Sequence, residues 1–335
     1  MEPLLSIVIP CFNVENYLQN CLDSIYDCDM SEKEFEVVCV NDASTDDTAK
    51  VIHRNSLGHT NLKVVTHSSN RGWGGARNSG LDNSSGKYLW FVDADDFVVP
   101  EKIVGLIRKC QEGDLDVCAF NYKEVYEDKS QTSCDRLVFR NSDVLNGVAF
   151  AKKHFGCDFV NHAGYVWRFI YSVDFLKHTQ LYFPEKVCWE DTVYMPKSIL
   201  LADRVQSVSD ICYNYRRNAA SISGQYHKQY RAELICQMAF CAGRDLLDYS
   251  NEIPDKELSD AFRKKAISMI NGFKIHLLRT SGTQRRRFYH ILDEFQVENL
   301  KPQMTAESKF CLNRFFGRMF VGVLAWVYGV KHKNK

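Results

Sequence analysis

The chain has 335 residues, 45% hydrophobic and 13% aromatic, which is enough for one large core or two modest ones. Forty-two basic residues balance 42 acidic ones, so the field of the whole molecule gives no reason to expect nucleic acid as a partner. The 13 cysteines are odd in number, scattered and without a CxxC pair, which argues against a zinc site or redox motif and for reduced core cysteines such as Cys11, Cys39 and Cys118.

The first residues, MEPLLSIVIP, lack a basic leader region and run straight into a strand pattern, so a cytoplasmic protein is expected. Short β-rich runs follow from Leu5 (LSIVIPCF), Phe35 (FEVVCVND), Leu62 (LKVVTH) and Tyr88 (YLWFVDAD). Between them, helices are predicted over about 15–26, 45–54, 75–83 and 101–111, with Ser44, Thr45 and Asp46 as N-cap candidates and Pro100 in a first turn. This alternation is that of parallel β-α-β units. A further strand is expected from Asp116 (DVCAFNYKEVY). After about residue 130 the pattern is less regular and helix-leaning, with the aromatic clusters YVWRFIY and CYNYRRN; from Tyr226 to Glu298 helical spacing dominates, broken near Pro254. A boundary near residue 225 is therefore expected, with domains over 1–225 and 226–335.

From Lys301 to Lys335, seven basic residues stand against Glu307 alone, and residues 319–330 (MFVGVLAWVYGV) carry no charge. The apolar run is shorter than the roughly 20 residues of a membrane span. A helix lying in a membrane surface, anchored by Trp326, Tyr328 and the flanking lysines, is the expectation for 310–335; docking on the core or on a second copy in a homodimer is the alternative.

In open α/β sheets, ligands sit beyond the carboxyl ends of the strands. There the first strand delivers Pro10, Asn13 and Glu15, the second Asn41 and Asp42, the third leads into NRGWGGARNSG, and the fourth ends on DADD. Strand alternation puts Asp93 and Asp95 on one side, flanking Ala94, where both could reach one hard cation; Mg2+ or Mn2+ takes one or two carboxylates and completes its shell with water and phosphate oxygens. Asp42 is suited to accept the ring N–H of a pyrimidine, with Asn13 and the backbone after Pro10 lining the same pocket. The glycine-rich segment is expected to approach a ligand closely and to present Arg71 and Arg77 to phosphate or to the acidic cluster. It does not match GxGxxG, since Arg77 stands at the last glycine, which disfavours a dinucleotide fold.

Together, SIVIPCFNVENYLQNCLDSI, VNDASTDDT, NRGWGGARNSGL and YLWFVDADD, in this order, resemble a family 2 glycosyltransferase, over roughly residues 4–105. The resemblance implies a GT-A fold, that is, a Rossmann-like, mostly parallel central sheet flanked by helices, here with a helix-rich C-terminal region. It also implies a nucleotide-diphosphate sugar donor, a divalent cation and inversion at the anomeric carbon, with Asp42 reading the base, Asp93 and Asp95 in the DxD motif and Asp95 as metal ligand. VCWEDTVYMPKSI resembles the family's ED motif, which implies Asp191 as general base and Glu190 in support. The flanking segments resemble those of polysaccharide-assembling members, and by that likeness Arg168 and Arg216 would neutralise the departing diphosphate. Two departures are noted. Ala43 replaces the usual glycine, so this loop is not expected to need a left-handed backbone, and Trp73 reads as a core residue with sugar or base stacking as the alternative. The expected activity is transfer from a nucleotide sugar, UDP-linked by preference, to a growing or lipid-linked glycan at the inner membrane face. The rival readings are a sugar nucleotidyltransferase and a nucleotide-sugar-binding protein without turnover.

Overall fold

A computed structural model describes residues 2–126, 132–156, 159, 164–185, 187, 189–217, 231–279, 281–295 and 297–312. The chain divides into two compact units, residues 1–186 with 190–218 and residues 187–189 with 219–335.

The first unit is built on one sheet. Its strands are β1 (Leu5–Cys11), β2 (Phe35–Asn41), β3 (Leu62–Thr66), β4 (Tyr88–Phe91), β5 (Phe97–Val98), β6 (Val117–Tyr126), β7 (Cys134–Arg136), β8 (Phe169–Ser172) and β9 (Val205–Arg217), in the order β3-β2-β1-β4-β8-β6-β9-β5, with β7 pairing to β6. The four N-terminal strands are parallel, with Ile7 opposite Val37 and Trp90. Every residue of β1, β2 and β4 is buried, as a parallel sheet covered on both faces requires. Helices α1 (Leu18–Tyr26), α2 (Thr48–Gly58) and α3 (Gly72–Asp82) connect these strands, and α4 (Pro100–Gly113) follows β5.

Beyond β4 the sheet is mixed. β8 runs antiparallel to both β4 and β6, and β9 lies parallel to β6 and antiparallel to β5. Three strands, β7, β8 and β9, therefore occupy a region whose sequence leans toward helix. β9 was hidden because its two faces are only partly buried and its pairing with β6 shifts register around Asn121, which blurs a two-residue period. The topology matters for the site: β8 begins, and β9 ends, at the edge where β4 delivers its aspartates. Helices α5 (Gly147–Phe155), α6 (Val173–His178) and α7 (Glu190–Leu201) complete this unit.

The second unit is helical among its described residues: α8 (Arg231–Cys236), a π-helical turn over Gln237–Ala242, α9 (Gly243–Ser250), α10 (Lys256–Leu278), α11 (Gly282–Ile291) and α12 (Ala306–Leu312). The break at Pro254 falls between α9 and α10, where Asp255 caps α10 by accepting from Leu258 N at 3.1 Å. Leu258, Phe262, Ala266, Met269, Ile270, Phe273 and Leu277 form the buried stripe of α10 at helical spacing. No helix among the described residues is long and apolar enough to cross a membrane. The expected surface helix over 310–335 lies almost entirely outside the described residues.

The described cysteines carry no disulfide, and most, including Cys11, Cys39 and Cys118, are buried as small apolar side chains.

Candidate active site

The loops after β1 and β2 are fastened to each other before either reaches a ligand. Asn13 N donates to Ser44 Oγ (3.2 Å), Thr45 N to Asn13 Oδ1 (2.8 Å), Glu15 N to Asp46 Oδ2 (3.1 Å) and Asp47 N to Glu15 Oε2 (2.8 Å). Asn13 and Glu15 thus spend polar atoms on loop geometry. The same bonds delay α2, which starts at Thr48 rather than near Thr45 because Ser44, Thr45 and Asp46 serve the neighbouring loop. Pro10 is buried in β1 opposite Val40, beyond the last residue pair with β4, so its missing N–H leaves no gap in the β1–β4 ladder. Ala43 has φ of 60°, which corrects the expectation drawn from its lack of glycine. The left-handed conformation is present and costs an L-residue roughly 1–2 kcal/mol. Ala43→Gly is therefore expected to stabilise the protein by roughly 0.5–1 kcal/mol in urea denaturation, the flexibility glycine adds to the unfolded chain offsetting part of the relief.

Asp42, 2% exposed, anchors the start of α3. Its Oδ1 accepts from Arg71 N (2.8 Å) and from His67 Nδ1 (2.6 Å), and its Oδ2 accepts from Gly72 N (2.9 Å). His67 Nε2 meets Ser79 Oγ at 2.9 Å, so the imidazole is held at both nitrogens. Gly74 and Gly80 of this segment serve protein packing. A Cβ on Gly74 would sit 2.4 Å from Pro184 O, and one on Gly80 would sit 2.1 Å from a methyl of Val8. Asn78 holds the same segment, donating to Phe183 O (2.9 Å) and accepting from Phe183 N (2.8 Å). Trp73 is half-buried, not a core residue.

The helix so fixed carries two arginines to different ends. Arg71 forks onto Glu185 and donates to Ser79 Oγ (3.0 Å). Arg77, 4% exposed, donates through Nη2 to Asp93 Oδ1 (2.8 Å) and through Nη1 to Glu190 Oε1. Burial alone would push the Arg77 guanidinium down, but Asp93 and Glu190 hold it above its ordinary value. Burial raises the Glu190 carboxyl, with Arg77 opposing. Asp191, the next residue of α7, is pushed up to about 8 by burial and by the charge of Glu190, again with Arg77 opposing.

On the far side of the DADD turn, burial and the charge of Asp93 push Asp95 up to about 6, offset in part by Arg216 and Arg77. Asp96 is buried and structural, accepting from Tyr213 OH (2.8 Å) and Arg216 N (2.7 Å). Tyr213 OH also accepts from Asp93 N at 3.1 Å. Arg216 donates from Nε to Asp95 O (2.8 Å) and from Nη2 to Asn20 Oδ1 (2.6 Å), tying the turn to α1. Ala94 is buried between the two outer aspartates.

No group of three or more His, Cys, Asp or Glu that could hold a metal occurs among the described residues. Two carboxylates, Asp93 and Asp95, whose mutual repulsion Arg77 and Arg216 offset only in part, are a donor set suited to Mg2+ or Mn2+, which leave several positions to water and phosphate oxygens.

The structure gathers Arg77, Asp93, Glu190 and Asp191 into one cluster, with Asp95 and Arg216 adjoining. It does not bring Arg168 to them. Arg168, 3% exposed, lies between the rings of Tyr122 (5.2 Å) and Phe139 (4.8 Å), its guanidinium pushed down to about 10 by burial.

The family model described as Glycosyl transferase family 2 matches residues 6–166, the span that carries every loop of this edge up to β8. Residues 6–166 are a glycosyl transferase family 2 domain. The chain is a glycosyltransferase, and similarity to named relatives agrees. It is 27% identical to the uncharacterized glycosyltransferase EpsJ of Bacillus subtilis (strain 168) over 252 residues, 70% of each chain. It is 29% identical to the poly(ribitol-phosphate) β-N-acetylglucosaminyltransferase TarS of Staphylococcus aureus (strain MW2) over 232 residues, 66% of this chain and 37% of TarS, so it spans only part of that relative. In fold, it is similar to S. aureus TarS 1–349 solved with UDP-GlcNAc, with a TM-score of 0.63, 20% identity and coverage of 98% of this chain and 92% of that one. It is likewise similar to the mannosyltransferase PcManGT of Pyrobaculum calidifontis, solved with GDP-Man and Mn2+, with a TM-score of 0.52, 16% identity and coverage of 98% and 88%. These two likenesses are of fold, and the GT-A architecture expected from the motifs is the one observed.

Two side chains of this transferase escaped the sequence reading. Tyr213 holds the DADD turn from β9, and His67 braces Asp42 from the end of β3. A lone tyrosine in an aromatic-rich stretch and a lone histidine carry no spacing signal, and only the pairing of β9 with β5 reveals the first.

Proposed function

We propose that this transferase moves a sugar from a nucleoside-diphosphate sugar, UDP-linked by preference, onto a hydroxyl of a growing or lipid-linked surface glycan, with inversion at the anomeric carbon. The observation that carries this reading is the Arg77 guanidinium joining Asp93 of the DADD turn to Glu190 at the head of α7. It unites an edge suited to a diphosphate with a carboxylate pair suited to proton removal. The TarS structures with UDP-GlcNAc and with UDP, and PcManGT with GDP-Man, support a nucleotide-sugar donor.

Asp42 would read the base with the acceptor capacity left on Oδ2, in a pocket whose walls are shaped by Pro10, Asn13 and Glu15. Asp93 and Asp95 would hold Mg2+ or Mn2+, which when bound supplies positive charge to the diphosphate. Arg216, fixed on the same turn, adds to that charge. Asp191 takes the proton of the acceptor hydroxyl as its oxygen bonds to the anomeric carbon; the bond from that carbon to the diphosphate oxygen breaks, and the nucleoside diphosphate leaves. Glu190 raises the proton affinity of Asp191, and Arg77 keeps that rise in check. The basic, apolar segment 310–335 fits a peripheral position at a membrane surface, where a lipid-linked acceptor is found.

Chelation tests the metal assignment. Nucleoside diphosphate release from UDP-GlcNAc should stop in EDTA, return with manganese, and stay low in Asp95→Asn at all manganese concentrations; full turnover in EDTA would remove the cation from the account. A second expectation concerns pH. Because Glu190 raises Asp191, Glu190→Gln should move the acidic limb of kcat/KM to lower pH; a shift to higher pH, or none, would contradict the coupling.

A further inference from the structure

Arg168 remains unexplained by the donor chemistry. Its Nε and Nη2 are buried and make no hydrogen bond among the described residues, although a buried guanidinium ordinarily finds partners for its N–H groups. The faces of Tyr122 and Phe139 compensate part of its charge but accept none of its N–H bonds.

Its surroundings are equally unusual. Tyr213, whose hydroxyl holds the DADD turn, stacks on Trp167 at 4.3 Å and 8°. Trp167 in turn stacks on Tyr165 at 5.0 Å and 20° and on Tyr215 at 5.5 Å and 23°. Tyr165 and Tyr215 are half-buried, whereas Trp167 and Tyr213 are fully buried. The result is an aromatic wall that starts at the metal-site turn and ends in solvent, with Tyr122 joining Tyr165, Trp167 and Tyr215 to the guanidinium behind. Aromatic rings receive the apolar C–H face of a pyranose, and a guanidinium with unused N–H groups receives an oxyanion.

We propose that this wall is the acceptor subsite and that it takes an anionic saccharide, its ring on Tyr165 and its phosphate or carboxylate on the free N–H groups of Arg168. The proposal rests on the transferase reading above and adds the acceptor's chemical class. A purely structural arginine would give none of the selectivity described next.

The test uses the full chain, UDP-GlcNAc as donor, and three acceptors of matched length: a ribitol-phosphate oligomer, a uronate-containing oligosaccharide and a neutral glucan. Donor hydrolysis without acceptor is measured alongside. Wild type is expected to prefer one of the anionic acceptors, and which one distinguishes phosphate from carboxylate. Arg168→Met should raise KM for that acceptor by about tenfold or more, leave donor hydrolysis unchanged and melt no lower than wild type, since it removes an unpaired buried charge. Arg168→Lys should recover part of the loss, and Tyr165→Ala should weaken all three acceptors alike; these two keep the test alive should the methionine variant fail to fold. Wild-type preference for the neutral glucan, failure to use either anionic acceptor, or an Arg168→Met enzyme with unchanged selectivity would overturn the proposal. A wild type that hydrolyses donor but shows no preference among the three acceptors removes this inference alone, whereas absence of both donor hydrolysis and transfer in wild type removes the donor reading together with it.

Discussion

Asp191→Asn is expected to lower kcat by about 10²–10⁴-fold while leaving donor affinity unchanged. The carboxyl heads α7 beside Glu190, and burial with the charge of Glu190 pushes it up to about 8. A base of that strength is matched to neutral or mildly alkaline pH, so kcat/KM should rise with pH toward about 8 in wild type and lose that limb in the variant. Stability supplies an independent check. A carboxyl whose folded-state pKa lies above its unfolded value of about 4 binds its proton more tightly in the native state, so stability falls as pH rises between the two values. Asp191→Asn removes that penalty and should raise Tm more at pH 8 than at pH 5. A variant that loses turnover and also melts lower at pH 8 would point to a structural role instead.

Arg77→Met is expected to cost about 3–5 kcal/mol, on the order of 10 °C in Tm, because it strips the partner from two carboxylates at once. Glu190 is 4% exposed, and Asp93 is held by the same guanidinium. Without Arg77, burial pushes Glu190 further up, so the deficit should be smallest at acidic pH, where its carboxyl is protonated in either form, and largest above neutrality. Arg77→Lys keeps the charge but lacks the planar fork that reaches two acids, and should recover only part of the loss. Thermal melts at pH 5 and pH 8 measure both; an Arg77→Met protein that melts like wild type at pH 8 would contradict the bridging geometry.

Much of this site is legible in sequence because parallel strands bring their C-terminal loops to one edge. Asp42, Asp93 and Asp95 could be assigned to that edge from strand ends alone, and Arg77 could be aimed at phosphate or at the acids. What decided between those two was Glu190, 113 positions away, which no local pattern links to Arg77. The packing role of two glycines is hidden for a similar reason. Gly74 and Gly80 are small because Pro184 O and Val8 press against them, contacts that require the fold to be known. Ala43 shows that a left-handed residue need not be glycine when loop-to-loop bonds such as Thr45 N to Asn13 hold its neighbours. β9 was invisible as a strand because its polar and aromatic residues are half-buried on both faces, and with it went Tyr213 and the aromatic wall.

The most direct test of the central claim is nucleoside diphosphate release from a panel of UDP- and GDP-sugars by the purified chain, with manganese and a membrane-lipid extract as acceptor source. The account predicts release from one UDP-sugar, abolished by chelation and reduced to background in Asp191→Asn, with the same donor still bound by that variant. Release that persists undiminished in Asp191→Asn would contradict it.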